Sequence, residues 1–264
     1  MKVSRAVVEA RRESIARLLA SQGYLPVQDI SHRFGISEAT VRRDLVELAS
    51  RQRLTRTRGG ALNDFNRRFA SVDERRATDA AAKSAIGRAA AALVPPGSTL
   101  YVDAGSTPLA VAEALVASGI AGLRVVTPSL AAAQVLAALP DAEVHVPGGL
   151  YLGRQQMVAG PGAAKALRGW TFDLAFVGAE GVDRDGIHNS QDDIVAVTHA
   201  LLESSERVIL CLTRSKLGRS GPVRVAPGLD GFHLLTDASP ADLRRARVPL
   251  GDARLLPLSR NPIP

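Results

Sequence analysis

Residues Gly35-Ile36-Ser37-Glu38-Ala39-Thr40-Val41-Arg42-Arg43-Asp44-Leu45 join a glycine turn to a stretch of helical periodicity. Gly35 tolerates the left-handed backbone that a tight turn needs. Ser37 is placed to cap the helix that follows. Val41, Leu45 and Leu48 recur at i, i+4 and i+7 and make one apolar stripe. At about 100° per residue, Arg43 falls nearly opposite that stripe, with Thr40 and Arg42 on its flanks. A cationic, hydroxyl-bearing face behind a narrow core stripe suits a helix laid in the major groove, where arginine forks onto a guanine edge or grips a phosphate. A solvated helix face would carry the same pattern, so the neighbouring chain has to decide.

Upstream, Val8, Ile15, Leu18 and Leu19 keep near-helical spacing between Arg5 and Ser21, and Gly23 follows as a C-cap. Leu25-Pro26-Val27-Gln28-Asp29-Ile30 predicts the start of a second short helix, with Ile30 and Phe34 on one face. Three short helices with glycine-bearing turns predict a helix-turn-helix. Downstream, Arg53-Leu54-Thr55-Arg56-Thr57-Arg58-Gly59-Gly60-Ala61 alternates threonine and arginine and ends in Gly-Gly, as a β-hairpin wing would. Arg56 and Arg58 would then reach the DNA backbone or minor groove.

Charge agrees with this division. The chain has 264 residues and a formal charge of +7, yet residues 1–60 hold twelve Lys/Arg against six Asp/Glu, and residues 81–264 hold seventeen against sixteen. A basic head on a nearly neutral body is the footprint of a nucleic-acid-binding protein. No apolar run approaches a membrane span, and the first twenty residues lack the apolar core of a signal peptide. The single cysteine, Cys211, lies in the strand-like run Val208-Ile209-Leu210-Cys211-Leu212, so no intrachain disulfide and no cysteine-built metal site is expected. These features predict a cytoplasmic protein without metal or cofactor and without membrane contact.

Residues 63–79 are polar and balanced in charge and read as a linker between a head at 1–62 and a body at 80–264. The body opens on an Ala-rich helix carrying Ile86, Ala90 and Leu93 and ended by Pro95-Pro96-Gly97. Strands at 99–102, 123–127, 143–146, 174–177, 208–212 and 232–236 then alternate with helices at 108–116, 130–139, 161–167, 192–204 and 240–247. Short apolar strands between amphipathic helices predict an α/β fold with a mostly parallel sheet covered on both faces. Ligands of such sheets bind at the carboxyl ends of the strands. There, Asp103-Ala104-Gly105-Ser106-Thr107-Pro108 joins a strand to a helix, with Gly105 for close backbone approach and hydroxyls from Ser106 and Thr107. That helix end offers free amides to an anion, although a plain strand-to-helix turn uses the same residue types. Loops at Thr127-Pro128-Ser129, Gly148-Gly149, Gly178 to Asp183 and Arg214 to Arg219 fall at other strand ends. Together they suit a small polyol phosphate with Lys216 and Arg219 as its cations, although a solvated basic loop would carry the same residues.

Thr40-Val41-Arg42-Arg43-Asp44-Leu45, followed by Arg56-Thr57-Arg58-Gly59-Gly60-Ala61, resembles the signature of the DeoR family of bacterial transcriptional regulators. In the body, Asp103-Ala104-Gly105-Ser106-Thr107, Gly148-Gly149, Asp173 with Phe176-Val177-Gly178, and Ser215-Lys216 with Gly218 are similar to that family's sensor motifs. The resemblance implies a winged helix-turn-helix ahead of an α/β sensor of the ribose-5-phosphate isomerase fold. It implies a repressor of carbohydrate metabolism genes, bound to double-stranded operator DNA as a homo-oligomer, dimer or tetramer, and released by a phosphorylated sugar. It places DNA contacts at Ser37, Thr40, Arg42, Arg43, Arg56 and Arg58, and effector contacts at Asp103, Gly105, Ser106, Thr107, Gly148, Gly149, Gly178, Asp183 and Lys216. Asp44 reads as a partner that orients an arginine fork. The chain departs from the family at Ile194, Thr198 and Thr213, where an acid, a lysine and an aspartate are usual. Asp192, Asp193, His199 or Arg214 could compensate. Two other readings follow from the same residues. One is a sugar-phosphate isomerase-like enzyme using Asp183, Asp185 and Glu180 as acid or base, which the basic head does not require. The other is a regulator whose body only oligomerises.

Overall fold

The computed structural model describes residues 4–22, 24–50, 54–56, 60–63, 72–153 and 155–258. The chain forms two compact units, residues 1–70 and 71–264.

The first unit contains α1 (Arg5–Gln22), β1 (Tyr24–Pro26), α2 (Val27–Phe34), α3 (Glu38–Ser50), β2 (Leu54–Arg56) and β3 (Gly60–Asn63). Ile15 and Leu19 of α1, Ile30 of α2, and Val41, Leu45 and Leu48 of α3 share one core. The i, i+4, i+7 stripe of α3 is therefore its buried face. β2 and β3 pair antiparallel, Thr55 opposite Leu62, and β1 adds on the other side of β3, Leu25 opposite Ala61. The second helix begins at Val27 rather than Leu25, because Tyr24–Pro26 is taken into that sheet while Leu25 drops into the core. Gly23, expected as a C-cap, and the wing tip with Arg58 lie outside the described residues, as does the side chain of Arg56.

The second unit opens with α4 (Val72–Ala77) and α5 (Ala80–Ala91). Residues 72–79 were expected as part of a linker. Val72 is instead buried in the core of this unit, an anchor hidden by the polar residues around it. There follow β4 (Thr99–Val102), α6 (Ser106–Ser118), β5 (Arg124–Val126), α7 (Leu130–Leu136), β6 (Glu143–His145), β7 (Leu150–Leu152), β8 (Met157–Ala159) and α8 (Pro161–Leu167). Next come β9 (Leu174–Val177), β10 (Gly181–Asp183), β11 (Gly186–Asn189), α9 (Asp192–Glu203), β12 (Val208–Leu212), β13 (Val223–Ala226), β14 (Phe232–Thr236), α10 (Pro240–Arg245) and β15 (Arg254–Leu256).

Seven strands make one sheet in the order β15-β14-β12-β9-β4-β5-β6, every neighbouring pair parallel. Side chains alternate between its faces. Leu100, Val102, Phe176, Ile209 and Cys211 pack with α5, α6 and α7, whereas Tyr101, Ala175, Val177, Leu210 and Leu212 pack with α8 and α9. Both faces of the central strands β9 and β12 are buried, which is why these strands read as unbroken apolar runs. The sequence reading did not anticipate the short strands β7, β8, β10, β11, β13 and β15. β7 and β8 form a hairpin, and β10, β11 and β13 a small antiparallel sheet. These strands are only three or four residues long, too short to carry a periodic signal.

α5 and α6 lie close because Gly87 has no side chain. A Cβ there would stand 2.3 Å from the carbonyl oxygen of Ala110. Gly87→Ala should destabilise the second unit by about 1–3 kcal/mol, read as a lower urea midpoint, with the midpoint of the first unit unchanged.

Candidate functional site

Gly35 ends α2 in the left-handed conformation, φ 60°, and its N–H bonds to the carbonyl of Ser31. The Ser31 hydroxyl donates to Ile36 O at 2.6 Å and closes the turn. The Ser37 hydroxyl oxygen accepts the Thr40 N–H at 3.3 Å and lies 2.9 Å from the Thr40 hydroxyl. Ser37 therefore satisfies one of the orphan donors at the start of α3. Arg42 and Arg43 are exposed on the face away from the core. Arg42 reaches back to Glu38 at 2.6 Å, whereas Arg43 makes no ion pair with a described residue. Asp44 is almost fully buried and holds two guanidinium groups, Arg11 at 2.7 Å and Arg12 at 2.9 Å. The arginine fork it orients thus comes from α1, not from its neighbours Arg42 and Arg43, and it fixes α3 against α1.

In the second unit, the carboxyl ends of the strands border a pocket of about 560 Å3, counted to its open mouth. Asp103, Gly105, Ser106, Thr107 and Gly178 line it together with Lys216. Gly105 has φ 125° and precedes α6 as its N-cap, so a residue with a Cβ would be strained there. α6 begins at Ser106, two residues before the expected start, and Ser106 and Thr107 stand in its first turn rather than capping it. Lys216 comes from the short 3-10 turn Arg214–Lys216 after β12.

Three expected residues stand elsewhere. Gly148 and Gly149 are exposed and do not line the pocket. At Gly149 a Cβ would approach Ala159 O to 2.6 Å, so this glycine serves the packing beside β8. Asp183 is also off the pocket. It accepts hydrogen bonds from His188 Nε2 at 2.8 Å, Asp185 N at 2.8 Å and the Ser220 hydroxyl, and so ties β10 to β11. Arg75, Gln155, Asn189 and Ser190 line the pocket without having been expected in it, and Glu180, expected only as a candidate acid or base, joins them. Glu180 stands just past the end of β9, a position that could have marked it. Arg75 gave no signal, because α4 is too short and polar to show a period.

Ile194, at the first departure from the family pattern, lies on the pocket wall. Thr198 is buried and bonds back to Ile194 O at 3.2 Å; Thr213 is buried with its hydroxyl 3.1 Å from that of Ser215. The residues that could have compensated do not line the pocket. His199 bonds to Val225 O at 2.8 Å, and Arg214 pairs with Asp242.

Two cations and two acids share the pocket. Glu180 accepts Arg75 Nη1 on one carboxylate oxygen at 2.9 Å and Lys216 Nζ on the other at 3.1 Å. Burial pushes its pKa up, but Lys216, Arg75 and Arg219 outweigh burial and hold it below the ordinary carboxylate value. Asp103 has no cation beside it. Its oxygens take the N–H of Gly178 at 3.1 Å, the Tyr101 hydroxyl at 3.4 Å and the backbone N–H of Ala104. Burial therefore dominates and raises its pKa from 3.8 to about 6. Among the described residues no cluster of His, Cys, Asp and Glu could hold a metal ion, and no helix is long and apolar enough to cross a membrane.

A helix-turn-helix with an outward cationic face and an α/β body with a polar pocket at its strand ends define a DNA-binding regulator with a ligand-sensing domain. The DeoR-like helix-turn-helix domain matches residues 11–65, and the DeoR C-terminal sensor domain matches residues 78–238. The chain belongs to the DeoR family of transcriptional regulators. It is 32% identical to the glycerol-3-phosphate regulon repressor of Escherichia coli (strain K12), over 87% of this chain and 91% of that one. It is 29% identical to the HTH-type transcriptional repressor GlcR of Bacillus subtilis (strain 168), over 88% and 89%, and 28% identical to a putative aga operon transcriptional repressor of Escherichia coli O157:H7, over 80% and 79%. Among solved structures, ribose 5-phosphate isomerase A from Neisseria gonorrhoeae is 20% identical over 51% of this chain and 52% of that one, with a TM-score of 0.36, too slight a likeness to bear on function. Membership of this family implies operator DNA and a small-molecule effector as partners.

Asp103 keeps its proton to higher pH in the folded chain than in the unfolded one. Its ionisation therefore opposes folding as pH rises from about 4 to 6. Asp103→Asn cannot ionise, and its amide oxygen still accepts the Gly178 N–H. The stability of Asp103→Asn relative to the parent should rise across that interval and level off above it, by on the order of 2–3 kcal/mol, measured by urea unfolding at a series of pH values.

Proposed function

We propose that this regulator is a repressor of a carbohydrate or polyol-phosphate regulon, which reads its operator with α3 and the wing and lets go when the body takes up a small phosphorylated sugar. The observation that carries the effector half is the convergence of Lys216 and Arg75 with the Gly105-Ser106-Thr107 end of α6 on one pocket. Ammonium, guanidinium and helix-end amides are the donors a phosphate uses. The names of the relatives, a glycerol-3-phosphate regulon repressor and an aga operon repressor among them, point the same way and make glycerol 3-phosphate the first compound to try.

In this reading Asp103, Gly105, Ser106, Thr107, Gly178 and Lys216 contact the effector, and Ile194 gives the pocket an apolar wall. Ser37, Thr40, Arg42 and Arg43 face the operator, with Arg56 and Arg58 on its backbone or minor groove. The head ends near residue 62, and the body begins with the buried Val72. The pocket binds without turnover: of Asp183, Asp185 and Glu180, the first is held by His188 and Ser220, the second stands off the pocket beside Arg184, and the third is paired with Arg75 and Lys216. A single recognition helix covers one half-site, so a homo-oligomer in the cytoplasm supplies the second.

Two measurements test this. Arg43→Ala should weaken operator binding about tenfold to a hundredfold, against little change for the exposed body residue Arg219→Ala; equal losses in fluorescence anisotropy would remove α3 as the reading helix. In thermal unfolding with sugar and polyol phosphates, one compound should raise the midpoint. At a hundred times its dissociation constant it adds about 2.7 kcal/mol, and Lys216→Ala should abolish the shift. No shift with any phosphorylated compound would refute the effector assignment.

A further inference from the structure

Lys216 belongs to a loop at a strand end, where a ligand contact is expected. Arg75 does not. It comes from α4, the first described element of the body after the wing, and it reaches the same pocket. Its guanidinium is only partly used: Nη1 meets Glu180, while Nε is buried and has no partner. Glu180 bridges the two cations with one oxygen for each, which is the pattern a bound phosphate would reproduce. Its backbone is fixed: the Glu180 N–H bonds to His188 O at 3.0 Å, and a Cβ on the next residue, Gly181, would lie 2.1 Å from Arg219 O. The Glu180 side chain lines the pocket and is about one-fifth exposed.

We infer that Glu180 is a built-in stand-in for the effector anion, and that an incoming phosphate displaces its carboxylate from Arg75 and Lys216, so that Arg75 carries the occupancy of the pocket into α4. This rests on the effector reading above and adds to it a contact residue and a route. Val72 is buried, Arg76 reaches Glu113 on α6 at 2.6 Å, and the buried Lys83 ammonium holds the carbonyls of Arg75 and Thr78. Burial lowers the pKa of Lys83, and Lys216 and Arg75 lower it further against the pull of Asp79. The contact that holds the Arg75 guanidinium is the one the effector would replace, in the segment nearest in sequence to the DNA-binding unit. No bond is made or broken, and the exchange is one ion pair for another.

The test uses the full chain with inorganic phosphate and glycerol 3-phosphate as probes, followed by calorimetric titration and by backbone hydrogen exchange of residues 72–79. Glu180→Gln removes the competing charge and should tighten anion binding about tenfold, and Arg75→Gln should weaken it about tenfold. Arg75→Lys should recover part of the loss. Saturating anion should alter exchange across 72–77 in the parent chain and not in Arg75→Gln. A gain of affinity in Glu180→Gln cannot come from misfolding, which keeps the test decisive if Arg75→Gln folds poorly. Binding by the parent chain with Arg75→Gln unchanged, or with Glu180→Gln weaker, would overturn this inference alone. Binding of neither anion by the parent chain or by Glu180→Gln would overturn the effector reading as well.

Discussion

A parallel sheet that is buried on both faces leaves its connections only its two ends. Every strand of the seven runs the same way, so every strand delivers the chain to the same edge before a helix or loop carries it back. Residues with no proximity in sequence are therefore gathered at one rim: Asp103 after β4, Gly178 and Glu180 after β9 and Lys216 after β12. The apolar interior that forces this arrangement also sets its electrostatics. Asp103 sits where the sheet ends and burial begins, and its carboxyl is pushed towards neutrality.

Both units use one carboxylate to bind two cations from elsewhere in the chain, with different consequences. Asp44 is enclosed between α1 and α3, with Arg11 and Arg12 as fixed partners. Removing either side would leave a charge stranded in a core, so this triad is architecture. Glu180 lies at a rim, beside space that a ligand can enter, and its partners can be satisfied by another anion. The same chemistry is permanent in one place and exchangeable in the other because solvent and ligand reach only one of them.

The alternation of apolar strands and amphipathic helices, the i, i+4, i+7 stripe on α3 and the glycine at Gly105 were legible directly. Each is a local constraint, set by backbone periodicity or by the steric freedom of a single residue. The same holds for the arginines that face away from the stripe and for the loops at the ends of the long strands. Gly148, Gly149 and Asp183 fall outside the pocket, which local sequence does not reveal, because glycines and acids near strand ends look alike whether they serve a ligand or the packing of a short hairpin. Only the approach of Ala159 to Gly149, and the bonds of His188 and Ser220 to Asp183, separate the two.

The sequence by itself determined the class of fold, the basic head and the strand-end loops, because hydrophobic period, net charge and turn chemistry act over a few residues. Tertiary structure alone decided which loops share a pocket, which guanidinium groups Asp44 receives and that Arg75 stands beside Glu180. Those pairings join residues far apart in the chain, and their geometry exists only once the sheet has been covered and its edge has drawn the loops together.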